Sequence, residues 1–195
     1  MKNHIVFSLG ELLRSGEYDE QLLLPSFKEF HCEKERDLET FLVKHAVEYE
    51  LNSIGKTYLF VNESALHDRR FIVDAYVTLA TKAIDISEMS LSGRRKMLGS
   101  YPGRDTIKTI SAFLIGQLGR SDGCSRNEIS GQDLLNESYS VFKKACALVG
   151  GKVIVLECRE HMYGKFYEKQ GFKKIRETLN DDNLYELYKK VNFED

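Results

Sequence analysis

Two stretches of this sequence combine residue types and spacing that could do chemistry. The first is "LIGQLGRSDGCSRNEISGQDLL", residues 114–135, where an apolar run gives way to a polar turn and then to a helix beginning near Ser130. The first turn of a helix presents N–H groups without intrahelical partners and the positive end of the dipole, so this junction suits a phosphate or pyrophosphate. Arg120 and Arg126 flank the turn and could neutralise an anion. Gly116 and Gly119 lie inside the preceding strand, where glycine marks a bulge or a place where a ligand meets the backbone. A competing reading uses the same residues: Ser130 followed by Asp133 is a capping box, in which the chain's own side chains satisfy those N–H groups. The Walker spacing and the G-x-G-x-x-G fingerprint do not occur, which argues against nucleotide sites of those kinds.

The second stretch is "GKFYEKQGFKKI", residues 164–175. Tyr167 stands one turn before Gly171-Phe172, which ends a short helix and starts a basic, strand-like segment. Its ring can pack, and its hydroxyl can donate: a phenol with a pKa of about 10 keeps its proton at neutral pH and can give it up where negative charge develops. Cys158 ends the apolar run "KVIVLEC", at the kind of strand end where α/β folds collect ligands. Only His161 is near enough in sequence to activate it, and a buried apolar role is the stronger reading. Cys32, Cys124, Cys146 and Cys158 show no paired spacing, which points to reduced thiols in the cytoplasm. The histidines show no ligand spacing either, so no metal is assigned.

These residues must be positioned by an ordered set of elements. "IVFSLGELL" reads as a strand passing into a helix, and "PSFKEF" carries Ser26 and Glu29 at helix-start spacing. Leu38, Phe41, Leu42, Ala46 and Tyr49 recur at helical spacing over 38–51. Residues 56–63 and 70–86 are rich in β-branched and aromatic side chains and pair as antiparallel strands. Residues 87–106 form a basic loop or short helix, and 107–119 return to strand. Leu135, Tyr139, Phe142, Cys146 and Val149 then give a helix with a core-facing stripe, ended by Gly150-Gly151. "KVIVLEC" suits a strand buried on both faces. "FKKIRETLNDDNLYELYKKV" reads as a closing hairpin around residues 180–183. The order predicts an α/β (α+β) fold with a mixed sheet and one strand–helix–strand crossover.

The chain has 195 residues, 42% of them apolar and 30% charged, with a net charge of −2. That length supports one domain with a full core. No apolar run reaches the roughly 18 residues of a membrane span, and the first residues lack a signal-peptide pattern. There are two prolines, no repeats and no low-complexity linker, so no boundary is drawn inside residues 1–195. Near-neutral charge argues against broad nucleic-acid binding. Two basic stretches stand out locally: Arg94, Arg95, Lys96, Arg104 and Lys108, and then Lys169, Lys173, Lys174 and Arg176.

Together these pieces resemble the GNAT superfamily of acetyl-CoA-dependent N-acetyltransferases over about residues 55–190. Residues 114–135 look like that family's fourth strand and its pyrophosphate loop, an Arg/Gln-x-x-Gly-x-Gly/Ala pattern leading into a helix. Arg126 matches the first position and Gly131 the last, with Ile129 where the first glycine falls. Residues 153–175 look like the fifth strand and the Phe/Leu-Tyr-x-x-x-Gly-Phe ending, matched by Phe166, Tyr167, Gly171 and Phe172. Glu160 stands where the family often has asparagine.

The resemblance implies a mostly antiparallel central sheet with one parallel crossover, residues 1–54 being an N-terminal helical addition. It also implies acetyl-CoA as co-substrate, held by Leu118, Gly119, Arg120, Arg126, Asn127, Glu128, Ile129, Ser130 and Gly131. In such proteins the fourth and fifth strands splay apart around the pantetheine arm, and the tyrosine, here Tyr167, protonates the departing thiolate. Glu157 and Glu160 are candidates for the base that frees the acceptor amine. The implied activity is direct acetyl transfer to an amine. Its alternatives are a toxin-type enzyme acting on aminoacyl-tRNA, for which a basic stretch would meet the tRNA, and a non-catalytic CoA-binding or interaction module. A homodimer is expected from the 38–51 helix together with Phe27 and Phe30 as exposed apolar residues.

Overall fold

The computed structural model describes residues 3–193. Strand β1 (His4–Ser8) passes directly into helix α1 (Leu9–Ser15), because the Ser8 side chain accepts the Glu11 N–H and caps the helix. Helix α2 (Glu20–Lys28) begins earlier than the Ser26–Glu29 pattern suggests. Asp19 is its cap, accepting the Leu22 N–H at 2.9 Å, and Pro25 lies inside the helix rather than ahead of it. The expected helix over 38–51 is two helices, α3 (Arg36–Lys44) and α4 (Ala46–Leu51), because His45 leaves the helical region at φ −123°.

Strand β2 (Lys56–Asn62), a short helix α5 (Glu63–His67) and strand β3 (Val73–Asp85) follow. The basic segment after them holds helix α6 (Leu91–Leu98). Strand β4 (Thr109–Arg120), helix α7 (Gly131–Val149) and strand β5 (Val153–Arg159) make the crossover. A helical stretch over 160–170 and the pair β6 (Lys173–Lys174) and β7 (Leu184–Lys190) complete the chain. The strands form one sheet in the order β1-β2-β3-β4-β5-β7-β6. Neighbours β1–β2, β2–β3, β5–β7 and β6–β7 are antiparallel, while β4–β5 is parallel. This is the mixed, mostly antiparallel α/β architecture expected from the order of elements. The first 54 residues contribute strand β1 as well as helices α1 to α4.

The chain packs as two compact units. One comprises the residues up to Ala80 with Gly116–Val141. Its core gathers Leu9, Leu23, Phe27, Phe30, Leu42, Leu59, Val61 and Tyr76. Phe27 and Phe30 are each 1% exposed, so the dimer surface drawn through them is withdrawn. Their burial follows from helix α2 starting at Asp19, which turns this face onto α3 and the sheet. The phenol of Tyr76 donates to the Leu38 carbonyl at 2.7 Å, satisfying a polar group that burial would otherwise penalise.

The other unit comprises Thr81–Ile115 and the residues from Phe142 onward, with a core of Ile84, Ile86, Met97, Leu98, Val153, Val155 and Tyr188. Arg94 is buried here and donates to the carbonyls of Ser87, Met89, Asp105 and Ile107. Its guanidinium therefore clasps both arms of the 87–107 segment. Arg95 pairs with Asp105 at 2.8 Å, so the first basic stretch is largely spent on the protein's own structure. Cys146 is half-buried and Val149 is 78% exposed, which removes both from the predicted core stripe. The last turn of α7 exposes Leu148 and Val149 before Gly150, at φ +75°, turns the chain.

Gly151 carries a second constraint. Its φ is +139°, and a Cβ there would stand 2.6 Å from Phe113 Cζ, whose ring is stacked on Phe142 at 4.8 Å. We expect Gly151→Ala to lower stability by about 2–4 kcal/mol, combining backbone strain with overpacking. Chemical denaturation should show a lower midpoint at unchanged slope; an unchanged midpoint would contradict this account of the turn.

Candidate active site

The parallel ladder comprises Phe113↔Ile154, Leu114↔Val155 and Ile115↔Leu156. Strand β4 runs on to Arg120, and β5 runs on to Arg159. In β4, Leu118 and Arg120 are half-buried and Gly119 is buried. A Cβ at Gly119 would lie 2.5 Å from Leu38 Cδ1, so this glycine makes room for helix α3 rather than for a ligand.

After Arg120 the turn is built on hydrogen bonds to its own side chains and neighbours. The Ser121 N–H donates to the Asp74 carbonyl at 2.8 Å, and the Asp122 N–H donates to the His31 carbonyl at 2.7 Å. Glu128 Oε2 accepts the Ser125 N–H at 2.8 Å. Ile129, which replaces the motif's first glycine, is fully buried and anchors the turn to the core. Arg126, Asn127 and Glu128 are exposed, whereas Ser130 and Gly131 are half-buried.

Helix α7 begins at Gly131, and the capping box is formed. Asp133 Oδ2 accepts from the Ser130 N–H at 2.8 Å and from its hydroxyl at 2.6 Å, while Ser130 Oγ accepts the Asp133 N–H at 3.2 Å. Hydrogen bonding from Ser130 holds the Asp133 carboxyl below its ordinary pKa, and Ser125 does the same for Glu128. Both acids are thus ionised at neutral pH. The cations of this loop, Arg120 and Arg126, have to outweigh them if an anion binds.

Tyr167 lies in the other unit, on the helical stretch after β5. Residues Tyr163–Tyr167 form a π-helical turn in which the Glu168 N–H reaches back to the Tyr163 carbonyl. Tyr167 is buried, with edge-on contacts to Phe166 at 5.0 Å and to Phe172 at 5.8 Å. Gly171 closes the stretch at φ +81°, the left-handed conformation that ends helices.

The acids at the end of β5 are already engaged. Glu157 Oε1 accepts from Lys82 Nζ at 2.7 Å, and Glu186 lies 3.8 Å from the same ammonium. Glu160 Oε1 accepts from the Tyr185 phenol at 3.3 Å. Burial pushes the Cys158 thiol up to about 11, which makes it a poor nucleophile and supports its reading as a core residue. Sequence spacing could not find Lys82, since residues 82, 157 and 186 meet only through strand pairing. Lys174, known from the sequence only as part of a basic run, lies 3.8 Å from the Tyr185 ring centroid and 5.0 Å from that of Tyr163.

No family model and no curated protein matches this chain. Solved structures do. A bacterial toxin shares the fold at a TM-score of 0.70 and 15% identity, covering 96% of this chain and 92% of its own. A tyrosine-to-phenylalanine mutant of KacT gives a TM-score of 0.68 and 19% identity, covering 97% and 95%. AtaT complexed with acetyl-methionyl-tRNAfMet gives 0.63 and 22%, covering 94% and 93%. AtaT and KacT are GNAT-fold proteins.

The chain has the GNAT fold. In that fold β4 and β5 are the strands of the parallel crossover, as the two motif stretches implied. The match also extends ahead of residue 55, so the N-terminal segment is part of what the GNAT neighbours share.

Proposed function

We propose that this chain is an acetyl-CoA-dependent N-acetyltransferase whose acceptor is the α-amine of an aminoacyl-tRNA, acting in the cytoplasm. The observation that carries the reading is the extent of the shared fold. Between 94% and 97% of this chain aligns with AtaT and KacT, AtaT being captured with acetyl-methionyl-tRNAfMet in one structure and, as AtaTR, bound with acetyl-CoA in another.

The residues fit acetyl-CoA. With the Ser130 and Asp133 N–H groups taken by the capping box, the N–H groups of Gly131 and Gln132 are left to meet the pyrophosphate at the positive end of α7. Arg120 and Arg126 supply the neutralising charge. The backbone of Leu118–Arg120 borders the pantetheine arm, with Asn127–Ile129 shaping the loop. The acceptor nitrogen attacks the thioester carbonyl, the C–N bond forms and the C–S bond breaks. Tyr167 gives its phenolic proton to the departing thiolate, and the amine's extra proton leaves to solvent.

The acid–base chemistry favours an α-amine. Glu157 is committed to Lys82 and Glu160 to Tyr185, so neither is placed as a dedicated base. An α-amino group with a pKa of about 7.7–8.0 is neutral often enough near pH 7.5 to need none, whereas a lysine with a pKa of about 10.4 does need one. The second basic stretch supports a tRNA acceptor more than the first. Its Lys173, Lys174 and Arg176 line one broad groove with Lys96 of the first stretch, though Glu88 and Glu177 pair with two of them.

The test is transfer of labelled acetyl from acetyl-CoA to a charged tRNA pool. Acid-precipitable label should appear with aminoacyl-tRNA, be released by mild alkaline cleavage of the ester, and be absent with uncharged tRNA. Label passing only to free amines or lysine peptides would overturn the acceptor assignment. No CoA release with any amine would overturn the enzyme reading.

A further inference from the structure

Three further side chains, distant in sequence, converge within the first unit. They are His4 on β1, Asp74 on β3 and Cys124 in the turn between β4 and α7. Their donor atoms, an imidazole nitrogen, a carboxylate oxygen and a thiol sulfur, all lie within 4.8 Å of one another. His4 Nε2 and Asp74 Oδ2 are 2.8 Å apart. The His4 side chain is 1% exposed and Cys124 is 3% exposed, so the cluster is enclosed by protein.

The strands explain the convergence. His4 pairs with Asn62 across β1–β2, while the β2–β3 register steps from Phe60↔Ala75 to Val61↔Val73. Asp74 is therefore the extra residue of a β-bulge, a feature that re-aims a side chain and recurs next to functional sites. Asn62 Nδ2 donates to Asp74 Oδ2 at 2.9 Å, orienting the carboxylate. Cys124 is tied to the same point through backbone: its N–H donates to the Ser121 carbonyl at 3.1 Å, and the Ser121 N–H donates to the Asp74 carbonyl at 2.8 Å.

We propose that His4, Asp74 and Cys124 form a site for a divalent transition-metal ion, with zinc the best match to the donors. One nitrogen, one oxygen and one sulfur make a borderline-soft set that suits zinc and disfavours magnesium or calcium. Zinc bonds of about 2.0 Å to nitrogen and oxygen and about 2.3 Å to sulfur place tetrahedral donors roughly 3.3–3.7 Å apart. The His4–Asp74 pair has to open slightly and Cys124 to close by about 1 Å, within side-chain adjustment. Three protein ligands leave a fourth position for water, and the Asn62–Asp74 hydrogen bond is the outer support such ligands use.

The charges and protons balance. Burial and the Asp74 carboxylate push the Cys124 thiol up to about 11, so without metal it holds its proton. On binding, the thiol proton goes to solvent, the proton that His4 Nε2 donates to Asp74 leaves that nitrogen so that its lone pair meets the ion, the ring's remaining proton sits on Nδ1, and the two anionic ligands cancel the dication. The bound ion joins β1 and β3 to the turn that leads into α7. The site stands on these residues alone and does not depend on the acetyltransferase reading.

The full chain, stripped with chelator and titrated with cobalt(II), should develop a thiolate-to-cobalt charge-transfer band saturating at one equivalent, and zinc should abolish it. Cys124→Ser should remove the band, while Cys32→Ser and Cys158→Ser keep it. His4→Gln and Asp74→Asn should each weaken zinc binding by about 10–100-fold or more, with circular dichroism showing the fold retained. No band in the parent protein, or a band that survives Cys124→Ser, overturns the site. Should the variants misfold, X-ray absorption on the zinc-loaded parent decides: one sulfur at about 2.3 Å with nitrogen and oxygen at about 2.0 Å supports the site, and a sulfur-free shell overturns it.

Discussion

Tyr167→Phe should slow acetyl transfer by about a hundredfold while leaving the fold and acetyl-CoA affinity close to those of the parent. The ring's contacts with Phe166 and Phe172 survive the substitution, so its packing is largely kept. What disappears is the phenolic donor proposed to meet the developing thiolate. Positioned acid catalysis contributes on the order of 10²–10⁴-fold, and a thiolate whose conjugate acid has a pKa of about 8.5 leaves tolerably well without help, which selects the low end. Single-turnover measurements with aminoacyl-tRNA separate chemistry from product release. If the chemical step runs at the parent rate, Tyr167 is a packing residue and the acid role is lost.

Gly131→Asp should nearly abolish the stabilisation that acetyl-CoA gives the parent protein. The new carboxylate would join Glu128 and Asp133, both held ionised, beside the helix start proposed to carry the pyrophosphate. A unit charge about 4 Å from one phosphate charge costs about 4 kcal/mol at an effective dielectric constant of about 20. Screening that halves this still leaves roughly a 30-fold loss of affinity. An acidic residue in a helix's first turn is itself favourable, so the variant should fold as well as the parent. Gly131→Asn, which has the same size without the charge, should lose far less. Equal thermal shifts for the parent and Gly131→Asp would remove this turn from the cofactor site.

The crossover was legible because its signals are local. Helix α7 shows its period within one stretch, Gly150 ends it, and β5 is a short apolar run buried along most of its length. What escaped reading depends on partners far along the chain. Ser26 and Glu29 resemble a helix start until Asp19 takes the cap, and His45 breaks a period that the apolar residues on either side continue. Cys146 and Val149 keep the helical spacing, yet the first is only half-buried and the second is exposed. Arg94 reads as one cation among several, yet its four carbonyl partners come from both sides of its helix. At the candidate site, the motif residues and the capping box were visible in sequence. The engagement of Glu157 with Lys82, and the meeting of His4, Asp74 and Cys124, exist only after strands pair.

The π-helical turn at Tyr163–Tyr167 takes up one extra residue without changing the direction in which the following side chains point. A hydrogen bond from the Glu168 N–H to the carbonyl five residues back means that this turn holds one residue more than an α-helix would. Removing one residue from 163–166 would turn that bond into the four-residue bond of a regular helix and leave Tyr167 at nearly the same angle around the axis. The segment therefore has one residue to spare. Substitutions across Gly164 and Lys165, both exposed, should be tolerated freely, and a single-residue deletion there should leave a folded chain with its phenol aimed as in the parent.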